Sequence, residues 1–261
     1  MTVLLLRLAG PLQSWGSAAR FARRSTENAP TKSGVLGLLA AAEGRPRDTS
    51  LSDLVALRFG VRIDQPGSRL RDFHTAHHAD SGKAMPLSER FYLSDAAFVA
   101  GVEGDASLLH RLHQAVLAPR FLPYLGRRSC PPSRPLDMGP PQEEVTLEDA
   151  LRSAPWQASP WYVRQTERWA ARGETPAEPE SLDLLLDCPP GEAPHLSLRD
   201  TPVSYDARHR QYALRGVLTR HVDAPPPRRP SNHRPPEHDP TTGLRPINST
   251  GPAAPPSTRS S

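Results

Sequence analysis

Apolar positions in this chain come in short runs, and their period changes from run to run. Thr2–Leu8 is almost unbroken valine and leucine and predicts a buried strand that ends at Gly10-Pro11. Val35, Leu36, Leu39, Ala40 and Ala42 recur at helical spacing between Pro30-Thr31 and Gly44. Residues 30–44 therefore predict a helix with proline and a capping hydroxyl at its start and a left-handed glycine at its end. Ser50–Leu57 predicts a second short helix capped by Ser50 or Ser52, and Arg58–Asp64 alternates like a strand. Leu70–Thr75 and Leu87–Ala100 predict two strands around the polar, turn-rich segment 76–86, which makes a protruding hairpin with a mobile tip. Asp105 caps an amphipathic helix to Leu117, with Leu108, Leu109, Leu112 and Val116 on one face. Leu122–Pro132 reads as a loop, and 143–173 as mixed helix and loop. Ser181–Asp187 and Arg210–Arg220 read as the last strands. A strand, a glycine-bearing loop and a helix form the first half of a ferredoxin-like βαβ unit, so the fold class is α+β.

Proline changes this picture at the carboxyl end. Of 31 prolines in 261 residues, many fall after Val222, among arginine, serine and threonine with almost no large apolar residue. Residues 222–261 are expected to be a disordered tail, because they cannot bury enough surface to offset ordering entropy. The folded part then spans about residues 1–221, divided into 1–140 and a smaller, β-rich part at 141–221.

Net charge is only +4, but its distribution is uneven. Residues 1–26 and 120–136 each carry four arginines and no acid, and Lys32 and Lys83 are the two lysines. The two cysteines lack metal-ligand spacing, and no long apolar run or signal segment is present, so the expected setting is cytoplasmic with no membrane contact.

Candidate chemistry lies at loops and at one helix end. Lys32, Ser33 and Gly34 follow Thr31 where free N–H groups and a positive dipole make an anion site. A Walker A loop is excluded, because Lys32 follows Thr31 and not glycine. His74, His77 and His78 match no zinc or haem spacing, and Ser33 sits in no Gly-x-Ser-x-Gly elbow. No catalytic residue, metal or cofactor is assigned. Trp15 is expected at the tip of its loop, and Arg127-Arg128 on flexible backbone beside Tyr124, where guanidinium groups meet phosphate and rings stack on splayed bases.

Four motifs in order resemble one family. They are Leu6–Gly16, Pro30–Gly34 with Gly37–Ala41, Leu70–Thr75, and Pro119–Pro132; a weaker match follows at Arg199–Ser204 and Tyr212–Val217. The resemblance is to CasD, the Cas-five subunit of the type I-E CRISPR surveillance complex Cascade, over nearly all of residues 2–220. It implies an RRM-like ferredoxin fold with an inserted β-hairpin thumb at about 76–90. It implies a non-catalytic subunit that grips the 5′ handle of crRNA. The subunit would cap the backbone-subunit filament beside the large subunit, in indirect contact with target DNA. The residues assigned to RNA are Gln13, Trp15, Arg20, Thr31, Lys32, Ser33, Gly34, Arg71, His74, Lys83, Arg90, Tyr124, Arg127 and Arg128, with His78 also near phosphate. The alternative is a metal-independent endoribonuclease that processes precursor crRNA, as the type I-C relative does with a Tyr-Lys-His arrangement. Lys83 has no histidine immediately beside it in the sequence, which counts against that alternative.

Overall fold

The computed structural model describes residues 1–17, 23–46, 49–172, 181–204 and 211–223. Arg20 and the tail beyond Asp223 lie outside these described residues. Strand β1 (Thr2–Ala9) is the reason the amino end is so apolar. Its even-numbered leucines, Leu4, Leu6 and Leu8, pack on one side of the sheet against helices α1 (Lys32–Glu43) and α3 (Ala106–Leu117). Val3 and Leu5 pack on the other side against α4 (Leu147–Ser153) and Trp156. A strand covered on both faces needs no polar alternation, and each fully buried leucine contributes about 1.5–3 kcal/mol.

The main sheet is antiparallel, in the order β10-β11-β9-β4-β7-β1-β8. The flanking strands are β4 (Arg58–Gln65), β7 (Ala97–Gly104) and β8 (Gln142–Glu143). Beyond β4 come β9 (Ser181–Asp187), β10 (Leu196–Ser204) and β11 (Gln211–Asp223). The protein is thus mixed α+β. Helix α1 starts and stops as its sequence dictates: the Thr31 side chain accepts from the Gly34 N–H, and Gly44 is left-handed at φ 81°. The Asp105 carboxylate likewise accepts from Leu108 N–H at the start of α3.

A small second sheet is built on β6 (Ser88–Ser94). One edge of β6 pairs along its length with β5 (Ser68–His74), from Ser68 opposite Ser94 to His74 opposite Ser88. The other edge pairs with the short strands β2 (Leu12–Gln13) and β3 (Arg23–Arg24).

Four expectations need correction. Leu87–Ala100 is two strands in two sheets, because the chain turns at Asp95 (φ 55°), whose N–H donates to Pro11 carbonyl and whose carbonyl accepts from the Gln65 side chain. Helix α2 is only Ser52–Val55; Leu51 holds its N-cap position, and the Ser50 hydroxyl accepts from Ser52 N–H. Residues 196–204 are a full strand, although two register shifts and Pro202 obscure its period. The ordered chain does not stop at 221: Val222 is buried opposite Leu182. Among the described residues no helix is long and apolar enough to cross a membrane.

Candidate nucleic-acid interface

The amino end of α1 looks in sequence like an open anion site, and an anion does sit there: the carboxylate of Asp200 from β10. Lys32 N–H donates to Asp200 Oδ2 at 2.9 Å, and Lys32 Nζ lies 2.9 Å from Asp187 Oδ2. Arg215 on β11 joins both acids, through Nε and NH2 to Asp200 at 2.8 and 2.7 Å and through NH1 to Asp187 at 2.8 Å. Its guanidinium also lies over the Phe59 ring. Burial works against the Arg215 charge, but the bonds to Asp200 and Asp187 outweigh it and hold the group above its ordinary value. Thr31, Lys32 and Ser33 are all buried. The expectation of free donors at Thr31, Lys32, Ser33 and Gly34 is therefore corrected: two cations and a helix dipole meet two carboxylates inside the protein.

Gln13 and Trp15 are corrected in the same sense. Both are fully buried, and Trp15 is no loop tip. Gln13 Nε2 donates to the carbonyls of Leu8 and Ala96, and its Oε1 accepts from Trp15 Nε1 at 3.0 Å. The indole lies against α1 so closely that a Cβ on Gly34 would come within 2.8 Å of it. These residues tie β1, β2, β7 and α1 together and leave no ring free for a base.

The 119–132 loop is different. It is held, contrary to the flexible backbone expected. Leu125 is fully buried, its carbonyl accepts from Ser14 N–H at 3.1 Å, and its N–H donates to Cys130 carbonyl at 2.7 Å. Gly126 has φ +84°, and a Cβ there would lie 1.8 Å from Ser14 carbonyl oxygen, so glycine is required. The Cys130 N–H closes the turn onto Arg127 carbonyl at 2.9 Å. Burial pushes the Cys130 thiol up, which keeps it an inert wedge under the loop.

This turn sets Arg127 above the Tyr92 ring, 4.8 Å from its centroid, with NH2 donating to Arg24 carbonyl at 2.8 Å. Arg24 pairs with Arg90 across β3 and β6, and Arg90 and Tyr92 share one face of β6. Two N–H groups in this cluster, Arg90 Nε and Arg127 NH1, are shielded from solvent and have no hydrogen-bond partner among the described residues. Arg128 is exposed beside them, and Tyr124 is half-buried. The opposite face of the small sheet carries a second cation–aromatic pattern. Arg23 lies over Phe91 at 5.3 Å, and Arg71 over Phe73 at 4.6 Å while also bonded to Glu89. His74 pairs with Asp72 at 2.8 Å. Lys83 is exposed at the hairpin tip, where its carbonyl accepts from His78 N–H at 2.9 Å and the His77 ring contacts Gly82. The turn thus pairs the His78 backbone with that of Lys83 and seats the His77 ring on Gly82, which the sequence alone did not indicate.

The structure brings Arg90 and Arg127 together, with Arg128 and Tyr124 alongside. It puts Arg71, His74 and Lys83 on the hairpin, and buries Gln13, Trp15 and Thr31–Gly34. Arg23, Arg24, Phe73, Phe91 and Tyr92 are members that sequence reasoning missed. Their signal was the alternation of arginine and aromatic residues along β5 and β6, which read only as strand. Among the described residues, no three acidic, histidine or cysteine side chains gather as a metal site would require.

Residues 3–218 match the family described as CRISPR-associated protein (Cas_Cas5). The chain belongs to the Cas5 family. A curated relative, the CRISPR system Cascade subunit CasD of Escherichia coli (strain K12), is 40% identical over 157 residues, 52% of this chain and 70% of the relative. A solved structure named as a Cas protein aligns at 38% identity with TM-score 0.63, covering 86% of this chain and all of the other. A chain from a CRISPR RNA-guided surveillance complex aligns at 30% identity with TM-score 0.66, covering 87% and 95%. In this Cas5 chain the matched residues hold the 119–132 loop and most of the main sheet, whose last strand runs on to Asp223.

Proposed function

We propose that this Cas5 protein is a non-catalytic subunit of a Cascade-type surveillance complex in the cytoplasm. It grips the 5′ handle of crRNA and caps the backbone-subunit filament next to the large subunit, with target DNA met only through the assembly. The observation that carries this reading is the pair of shielded guanidinium N–H groups on Arg90 and Arg127 beside Tyr92. An unmatched buried donor costs about 1–3 kcal/mol, more when charged. A phosphate that reaches these groups removes that cost, and half-buried Tyr124 on the same loop offers a ring to a base, since Tyr92 is buried beneath Arg127. Arg24 and Arg128 extend the same surface, and Arg71, His74 and Lys83 line the hairpin.

The fold supports this assignment. The order β4-β7-β1-β8, with α1 and α3 on one face, agrees with a ferredoxin-like, RRM-like unit. In this reading residues 1–140 carry the RNA surface, residues 141–221 brace it through β9 on β4, and the β5–β6 hairpin with its 76–90 tip is the thumb. Exposed Phe73, Met85 and Leu87 give that thumb an apolar surface for a neighbouring subunit. The test is co-purification. The protein should retain a short RNA of uniform 5′ end, and Arg90→Gln with Arg127→Gln should lose it while remaining folded. Retention of the same RNA by the double variant would refute the reading.

One observation favours a second reading, endoribonuclease action on precursor crRNA: the hairpin tip pairs the His78 backbone with that of Lys83 and holds the His77 ring on the neighbouring Gly82. A base and a cation near the 2′-OH are what such chemistry needs. Lys32 is unsuited to it, being held by Asp187. Metal-free incubation with repeat-containing RNA decides between the two. A discrete product that disappears in Lys83→Ala establishes the nuclease, and intact RNA supports the non-catalytic subunit.

A further inference from the structure

Helix α5 (Pro160–Ala171) packs through Thr166 and, in part, Tyr162 and Val163, and shows solvent a row of arginines. Arg164, Arg168 and Arg172 are exposed, and their side chains have no hydrogen-bond or ion-pair partner among the described residues. They recur every four residues, about 6 Å apart along the axis, and with Trp161 they fall within an arc of about 80°. Trp161 is 45% exposed and stands edge-on to Tyr162; Trp169, 36% exposed, flanks the same arc. Glu167, the acid of this helix, flanks the arc on its Arg164 side as Trp169 does on the other, and the three arginines outnumber it. Trp161 and the exposed Arg134 line one cleft, together with Asp95, so the basic row continues past the start of the helix.

A helix face whose cations are all open, interleaved with large open rings, is complementary to one class of ligand. From it we infer that the Trp161–Arg172 face of α5 is a second nucleic-acid site, which binds single-stranded nucleic acid with arginines on successive phosphates and the tryptophans as stacking planes. Phosphate contact alone would need no tryptophan, whereas stacking on exposed rings selects unpaired bases. This inference does not rest on the RNA reading of the small sheet, because it uses none of its residues.

The test uses the full chain with fluorescent dT30, rU30 and a 30-base-pair duplex as probes, titrated at several salt concentrations. Arg164→Gln with Arg168→Gln and Arg172→Gln should weaken dT30 and rU30 at least tenfold at low salt. It should also flatten the log–log salt slope by about 2, at about 0.7 per lost contact. Trp161→Leu should weaken both single strands and leave duplex binding unchanged. RNA retained through the small sheet should persist in both variants. If the triple variant proves unstable, Arg168→Gln alone should still lower the slope by about 0.7. Unchanged affinity and slope in the arginine variants would overturn the proposal, as would an equal loss of duplex and single-strand binding in Trp161→Leu.

Discussion

At the start of α1, Lys32 and Arg215 lie within 3 Å of Asp187 and Asp200, and the first helical N–H points at a carboxylate. On the small sheet, Arg90 and Arg127 stand beside Tyr92 with shielded N–H groups that meet no acceptor among the described residues. Both regions join a cationic cluster to a rigid loop or helix end. The first is complete within the chain: two strands from the carboxyl-terminal half deliver the acids. The second keeps two donors unmatched among the described residues, which is why the proposed function places RNA there. The lesson is that a cation's surroundings decide its role. The anion site that sequence places at α1 is a structural joint, whereas the arginine pair that reads as a surface turn is the one left with unmatched donors among the described residues.

The largest effect expected from breaking this contrast is on stability. Asp200→Ala would leave the α1 amino end without its acceptor and Arg215 and Lys32 sharing Asp187 as counter-charge, and should cost up to about 3–5 kcal/mol. Denaturant unfolding measures this, and the folded fraction should retain RNA normally. Next in size is Gly126→Ala, which strains a left-handed residue and forces Ser14 away, at about 1–3 kcal/mol. Because Arg127 rides on that turn, this variant should lose RNA affinity as well as stability, which Asp200→Ala should not.

The smallest effect concerns Asp53. Its bond to Arg45 holds the Asp53 carboxyl below its usual 3.8. The pair's stabilisation is therefore present above that pH and disappears as pH falls through the lower folded value. Asp53 is well exposed to solvent, so Asp53→Asn should cost only about 0.2–1 kcal/mol at pH 7, with the difference from wild type vanishing in acid. It touches neither cluster and should leave RNA retention unaltered.

Much of the fold was legible because local signals agreed with it. Thr31 and Gly44 mark the two ends of α1, and Asp105 the start of α3, while the β1 run announces burial on both faces. What stayed hidden depends on long-range partners. Nothing within a few residues of Lys32 shows that Asp187 and Asp200 lie against it, and nothing beside Trp15 shows that Gly34 makes room for its ring. The break at Asp95 was masked by buried apolar residues on both sides, Tyr92 and Leu93 before it and Ala96, Ala97 and Phe98 after it. The open site was half legible. Arg127 and Arg90 could be singled out, whereas Arg24 and Tyr92 belong to it only because β3 runs alongside β6.

The most direct measurement is the salt dependence of RNA binding in two variants compared side by side. Arg90→Gln with Arg127→Gln should weaken binding and flatten the slope by about 1.4, at about 0.7 for each lost phosphate contact. Lys32→Gln should lower stability and leave both slope and affinity of the folded protein unchanged. A flattened slope in Lys32→Gln together with an unchanged one in the arginine variant would contradict the account.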